Sequence, residues 1–548
     1  MALAPVVASA QSSASATASR GVGDIMRGIV SAKNHAPQRW PRLDDVAADL
    51  QKLYDSPKWV PLWSRDGVPT AAARAVVQQL AVIDVRGLEP DDYDAKRLQG
   101  FGEAAQAARL RTPAGQAEFD VMLSVGALRA VKAVRLGRVP ATTAHAKLVF
   151  PKESFDLVAT VRSLATSANA AQVFDEMEPP YLHYRLLKAS LARYRTLTRD
   201  TTLLAFKVPT KMKPGATDSS IVPLRRLLIA LGDLPSNTVP VVASEPMRYD
   251  SVMVAGMKHF QQRQGYTADG VVGPATAARL KRPFPDRVRQ ITLSLERFRW
   301  LPHRFDQPPI IVNVPAFRLH AFKSASDREA DLLSMDVVVG DSFDNKTPVF
   351  SDFMKYIVFS PYWDVPPSII RRELLPKARK DAGYLARGNY EVVSNSGTVL
   401  GTSASAVSAV AAGSARIRQK PGGNNSLGGA KFIFPNAFNV YLHDTPSQGA
   451  FERARRDVSH GCIRLSEPAR LAEFLLRDQP GWDAAKVKAA MSKTTPQQVN
   501  LTKPVPVYIV YATAMTTEDG AARFYDDIYG HDKKLTQLLA QGYPYPAK

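Results

Sequence analysis

The chain contains one cysteine, Cys462, in 548 residues, and this constrains its folding more than any other feature. No disulfide can form within the chain, so packing and hydrogen bonding alone must hold each core. The length is too great for one core: about 150 residues per domain predicts three or four units. Hydrophobic residues make up 45% of the chain, ordinary for globular protein, so most of it is expected to fold. No uninterrupted apolar run approaches the ~20 residues of a membrane-spanning helix. A mature chain with no transmembrane segment, soluble in water, is therefore expected.

Met1 to Ala10 has the texture of the end of a secretory signal, with Ala8-Ser9-Ala10 as a small-residue cleavage pattern but no basic leader. Residues 1–36 are thus expected to be a truncated signal followed by a flexible Ser/Ala-rich tether. The formal net charge of +20 would attract polyanions. The basic residues are scattered, and no helix-turn-helix, zinc-finger or RNA-binding pattern accompanies them, so nucleic acid is not the expected partner. An exported chain would instead meet carboxylates of a cell wall or lipid phosphates.

Residues 37–207 read as a mainly helical scaffold, with amphipathic stretches at Val46 to Leu53, Ala71 to Val82 and Phe119 to Leu136. A Lys/Pro/Gly/Ser-containing connector from Val208 to Ser220 leads to a small module at about 220–283, with helical patterns at Val222 to Leu231, Ser251 to Gln264 and Ala275 to Leu280. The texture then turns to strands: Ile310 to Val314, Phe317 to Phe322, Val337 to Val339, Phe438 to His443 and Val505 to Tyr511. These place a mostly β domain at 288–515, leaving 516–548 as a C-terminal segment. An insertion at about 367–429 breaks the strand pattern; it looks helical from Ser368 to Ala386 and is rich in Ser, Gly and Ala from Ser394 to Ser414. That second part is expected to be either a mobile lid over a groove or a disordered surface loop. The fold class is multidomain α+β.

With no disulfide partner, Cys462 is inert packing, a metal ligand or a nucleophile. Zinc could take His443, His460 and Cys462, but a closed site usually needs a fourth ligand. A thiol attacks as thiolate, and an imidazole within reach can remove its proton and later return one to a leaving group. Ser466 can cap a helix carrying Leu471, Phe474 and Leu475, which would put the cysteine in the turn before it. There the amides of Gly461 and Cys462 could converge on an oxyanion. Arg453, Arg455, Arg456 and Arg464 crowd the motif and could orient carboxylates of a substrate.

His443-Asp444-Thr445-Pro446 followed by Ser459-His460-Gly461-Cys462-Ile463-Arg464-Leu465 resembles the catalytic domain of the L,D-transpeptidase family. Asn313-Val314-Pro315, Val339-Gly340 with Thr347-Pro348, Trp363 to Pro366, and Asn424 to Gly428 extend the resemblance. Phe260-Gln261, Gly265, Asp269-Gly270, Gly273 and Thr276 resemble the three-helix peptidoglycan-binding module, and the whole order is similar to the long periplasmic members of the family. The resemblance implies Cys462 as nucleophile, His443 as general base, and His460, Gly461 and Cys462 as the segment lining the oxyanion site. It implies Ser459, Arg464, Asp444, Tyr441 and Trp363 as substrate-binding residues, with no metal and no cofactor. It further implies a periplasmic enzyme that takes donor and acceptor stem peptides, releases D-alanine from the donor and transfers the acyl group to a diaminopimelate amine. Proteins of wall synthesis could engage the scaffold. Asp444 departs from the Gly or Ser of several relatives, which leaves open how the imidazole tautomer is fixed. A thiol-dependent wall-peptide hydrolase and a non-catalytic wall-anchoring protein are the alternatives.

Overall fold

A computed structural model describes residues 21–55, 57–150, 154–167, 169–324, 327–328 and 331–545. It divides into two units, one running to His303 and resuming at Ala512, the other spanning Arg304–Tyr511. Among the described residues no helix is long and apolar enough to cross a membrane. The expected signal cleavage after Ala10 lies outside the described residues.

The first unit is helical. Its centre is the helix Pro113–Leu136, capped by Thr112, whose side chain accepts from the Gly115 amide, and buried over most of its length. The amphipathic face expected over Phe119 to Leu136 is therefore not found: residues on nearly all sides of the helix are buried, as in a helix wrapped by others. Ala47–Asp55 and Ala71–Ala81 pack around it, within two residues of their expected bounds at each end. Asp120 sits at 0% exposure in this core and accepts hydrogen bonds from the Leu62 amide (2.9 Å), the Trp63 amide (2.8 Å) and the Tyr54 hydroxyl (2.8 Å). Burial pushes its carboxyl up to about 6 despite these donors.

Two boundaries differ from expectation. The tether predicted to extend to Ala36 is helical over 21–31, and Val22, Met26 and Val30 are buried in the scaffold core. Three apolar residues at i, i+4, i+8 are one helical face, a signal masked by the surrounding Ser and Ala. The β domain begins at Arg304 rather than 288 and ends at Tyr511 rather than 515. Helix Phe284–Arg299 packs Phe284, Ile291 and Leu295 into the same core as helices Ile221–Leu231 and Ser251–Arg263 of the small module. The segment after Ala512 adds the hairpin Ala514–Thr516 and Ala522–Phe524 and the helix His531–Gln541.

The second unit is built on nine strands: β1 Ile310–Asn313, β2 Arg318–Ala321, β3 Leu333–Gly340, β4 Phe350–Phe359, β5 Ala430–Ile433, β6 Leu442–His443, β7 Asp457–Ser459, β8 Ile463–Leu465 and β9 Gln497–Val510. Their order is β7-β3-β8-β6-β5-β4-β9-β1-β2, and β2 pairs back onto β3. Eight strands therefore close on themselves, with β7 added beside β3; closure removes the open edges a sheet would otherwise expose. The pairs β6/β8, β7/β3 and β9/β1 are parallel and the rest antiparallel.

The insertion is a folded layer. A four-stranded sheet joins Trp363–Asp364, Ala415–Gln419, Tyr390–Ser394 and Val399–Gly401, in that order. Helical segments over 367–387 and the helix Ala404–Ala411 pack Ile369, Leu374, Leu385 and Val407 against Ile417 of the sheet in a core of their own. The disordered-loop expectation for Ser394 to Ser414 is thus overturned: its small residues form a strand and a Ser403-capped helix. Asn425, fully buried, donates to the carbonyls of Pro361 and Lys420, both at 3.0 Å, and so ties the two ends of the insertion together.

Candidate functional site

Strand alternation assembles the site. β6 pairs with β8 in register Leu442↔Ile463 and His443↔Arg464, and with β5 in register Lys431↔His443 and Phe432↔Leu442. Side chains alternate faces along a strand. Phe432, Leu442, Ile463 and Leu465 go to the buried apolar side, all at 0% exposure. Lys431, Tyr441, His443, Cys462 and Arg464 share the opposite face. The Ile463 amide donates to the Tyr441 carbonyl at 3.1 Å, extending the ladder to the cysteine. Continuing the register makes Tyr441 the direct neighbour of Cys462 and His443 its diagonal neighbour on the same face of the parallel pair.

The imidazole is anchored. Its Nδ1 lies 2.5 Å from the Asp444 carbonyl oxygen. A carbonyl only accepts, so Nδ1 carries the proton and Nε2 keeps its lone pair. The question that Asp444 left open, how the tautomer is fixed, is answered by its backbone, common to every residue type, which holds the ring. Its carboxylate accepts instead from the amides of Gly429 and Thr445, both at 2.7 Å, and burial raises its pKa. Burial lowers the His443 pKa to about 3, with Arg464 and Lys431 adding to the effect. The resting imidazole is neutral.

Cys462 is the one cysteine and is half-buried. Burial pushes its thiol pKa up, opposed by hydrogen bonds from the backbone and hydroxyl of Tyr441 and by the charges of Lys431 and Arg464. The sulfur also lies 3.8 Å from the Asn439 carbonyl. Tyr441 is held in turn: Trp363 hydrogen-bonds its hydroxyl, and Lys431 Nζ lies 3.9 Å from its ring centre. Trp363 belongs to the insertion sheet, so the inserted layer reaches the sulfur through Tyr441.

The turn before the cysteine is braced from two sides. Ser459 Oγ donates to the Cys462 carbonyl (2.6 Å) and accepts from the Gly461 amide (3.2 Å). Thr347 Oγ1 donates to the Gly461 carbonyl and accepts from the Gly340 amide, both at 2.8 Å. Gly461 has φ +110°, where a side chain would be strained. The expected pair of free amides is therefore reduced: Gly461 N–H is taken by Ser459, and among the described residues only Cys462 N–H of the two has no partner. Ser459 acts on the turn rather than facing outward.

Other expectations also change. His460 is exposed, and its Nε2 lies 2.7 Å from Glu373 Oε1 of the insertion. The following helix, Pro468–Leu476, has Glu467 rather than Ser466 at its N-cap and no side-chain cap bond. Arg455 and Arg456 are paired with Asp457 and Asp336. Lys431 and Glu373 were not foreseen from the sequence, and Thr347 was named there only within the resemblance, without a role; Lys431 left a signal, a cation alternating with apolar residues in Ala430-Lys431-Phe432. Among the described residues no group of three or more His, Cys, Asp or Glu is arranged to hold a metal ion.

A thiol, a tautomer-locked imidazole and a hydroxyl on one strand face form a centre suited to acyl transfer. Residues 308–507 match the L,D-transpeptidase catalytic domain family (YkuD). Residues 217–280 match a family described as "Putative peptidoglycan binding domain", and residues 48–191 one described as "Scaffold domain". The chain thus carries a catalytic domain of the L,D-transpeptidase family joined to a peptidoglycan-binding domain. Over 248 residues it is 29% identical to a Haemophilus influenzae protein named "Putative L,D-transpeptidase", a match covering 45% of this chain and 49% of that protein. The chain spans about half the length of that curated relative.

Proposed function

We propose that the protein is a peptidoglycan L,D-transpeptidase of the periplasm with Cys462 as its nucleophile. The observation that carries this reading is the locked His443: its Nδ1 is held by the Asp444 carbonyl, which leaves the Nε2 lone pair free to accept a proton on the face it shares with Cys462. In the first half-reaction His443 Nε2 takes the thiol proton as sulfur attacks the carbonyl between diaminopimelate and the terminal D-alanine of a donor tetrapeptide. Negative charge collects on the carbonyl oxygen, where Cys462 N–H and the Tyr441 hydroxyl are the available donors. Collapse breaks the peptide bond, the proton passes from His443 to the departing D-alanine amine, and a thioester remains. In the second half-reaction the diaminopimelate amine of an acceptor stem attacks the thioester, loses a proton to His443, and the thiol is regenerated. Dividing the transfer replaces one hard displacement by two easier ones. Because both thiol and imidazole rest neutral, proton transfer accompanies attack rather than preceding it.

Purified protein is incubated with disaccharide-tetrapeptide and the products are weighed by mass spectrometry. Crosslinked dimer with loss of D-alanine is the expected product. Tripeptide alone would make water the acceptor and the enzyme a hydrolase; no change with folded protein would reject both reactions and favour a non-catalytic wall anchor.

A further inference from the structure

The outer face of the insertion's first helical run, 367–380, carries a charge pattern unrelated to its packing. Ile369, Ile370, Leu374, Leu375 and Ala378 are buried in the insertion core. Between Arg371 and Lys380 the exposed positions are Arg371, Arg372, Pro376, Lys377, Arg379 and Lys380. Every one but the proline is a cation. Arg372 has a carboxylate, Asp344, at 3.4 Å. Among the described residues Arg371, Lys377, Arg379 and Lys380 have none within ion-pair distance, although Lys377 lies 5.7 Å from the Tyr384 ring centre. Favourable interaction with the helix dipole accounts for cations in the last turn, but not for Arg371 in the middle of the run. Like charges three apart, as at Lys377 and Lys380, cost helix stability.

The position of this face matters as much as its charge. The one acid in the run, Glu373, bonds His460, two residues before Cys462. Arg372 reaches Asp344, in the loop that leads to Thr347 and its bond to the Gly461 carbonyl. The cationic face thus continues from the rim of the cysteine turn.

We propose that this face is a docking surface for a polymer bearing carboxylates, namely the wall whose stem peptides the centre acts on. The inference rests on the proposed function and extends it: the polymer is held by charge beside Cys462 before any single stem is positioned. Charge complementarity selects the occupant, since each stem offers carboxylates that guanidinium and ammonium groups bind by charge-assisted hydrogen bonds.

The test compares the full-length protein with the variant Arg371→Gln/Lys377→Gln/Arg379→Gln/Lys380→Gln. Alkylation of Cys462 by iodoacetamide, small and uncharged, should be the same in both, reporting an intact site. Cosedimentation with purified sacculi should weaken about tenfold in the variant, as expected for four surface ion pairs of modest strength. The wild type should lose the same factor on sacculi whose carboxylates have been amidated, and its affinity should fall more steeply with salt. Equal affinity of the two proteins for native sacculi would overturn the proposal. Tighter retention on anionic phospholipid vesicles than on sacculi would also overturn it, since the occupant would then be a membrane. Carboxylate-dependent binding by a wild type that forms no dimer from tetrapeptide would refute the transfer reaction and not the docking surface.

Discussion

Replacing His443 with glutamine should flatten part of the protein's acid sensitivity, by an amount that follows from burial. In the unfolded chain the imidazole titrates near 6.5; in the folded protein burial and two neighbouring cations hold it at about 3. Between those values the unfolded state binds a proton that the folded state refuses, so stability rises with pH through this window and falls as the solution is acidified. Above about pH 6.5 the full stability is present. Linkage gives a loss of about 2 kcal/mol at pH 5 and about 3 kcal/mol at pH 4, levelling near 5 kcal/mol below pH 3. Glutamine has no titration in this range, and its amide can still donate to the Asp444 carbonyl. The assay is hydrogen exchange by mass spectrometry on peptides covering β5 and β6, at pH 7.5 and pH 5, corrected for intrinsic rates. Protection in the wild type should fall about thirtyfold more than in His443→Gln, the equivalent of that 2 kcal/mol. An equal fall in both proteins would mean that the folded imidazole titrates near its ordinary value, and would remove the argument that His443 rests neutral in acid.

Cys462→Ala should abolish covalent labelling by a carbapenem, read by intact-protein mass, while binding to sacculi through the small module persists; surviving label would misplace the nucleophile. Tyr441→Phe removes the hydroxyl beside the sulfur and should slow acylation on the order of tenfold to a hundredfold, as loss of an oxyanion donor does, with the fold unchanged by circular dichroism. Asp120→Ala leaves the Leu62 amide, Trp63 amide and Tyr54 hydroxyl without their shared acceptor. It should cost the helical unit about 4 kcal/mol in urea unfolding, typical of breaking a buried charged network.

The candidate site's motif was legible because chemistry restricted its residue types: one thiol, a histidine after an alternating strand, a glycine before the thiol. The helices of the scaffold and small module were legible wherever one face was apolar, as in Ala71–Ala81 and Ser251–Arg263. Three features were not. The helix at 21–31 hid among small polar residues. The insertion's core, spread over short strands and broken helices, has no sustained period. The domain edge moved because Phe284–Arg299 is amphipathic toward the helical unit, and a helix face does not name the core it will join.

The order of residues by itself determined which groups could do chemistry and on which strand face each would lie, since alternation and helical period are properties of the backbone. Only the folded structure decided which of them meet. It moved His460 to Glu373, took the Gly461 amide for Ser459, brought Lys431 and Tyr441 to the sulfur, and gave the task of fixing His443 to a main-chain carbonyl. Strand register and loop closure join residues far apart in sequence, and a backbone carbonyl, present at every position, leaves no mark in the sequence to be read.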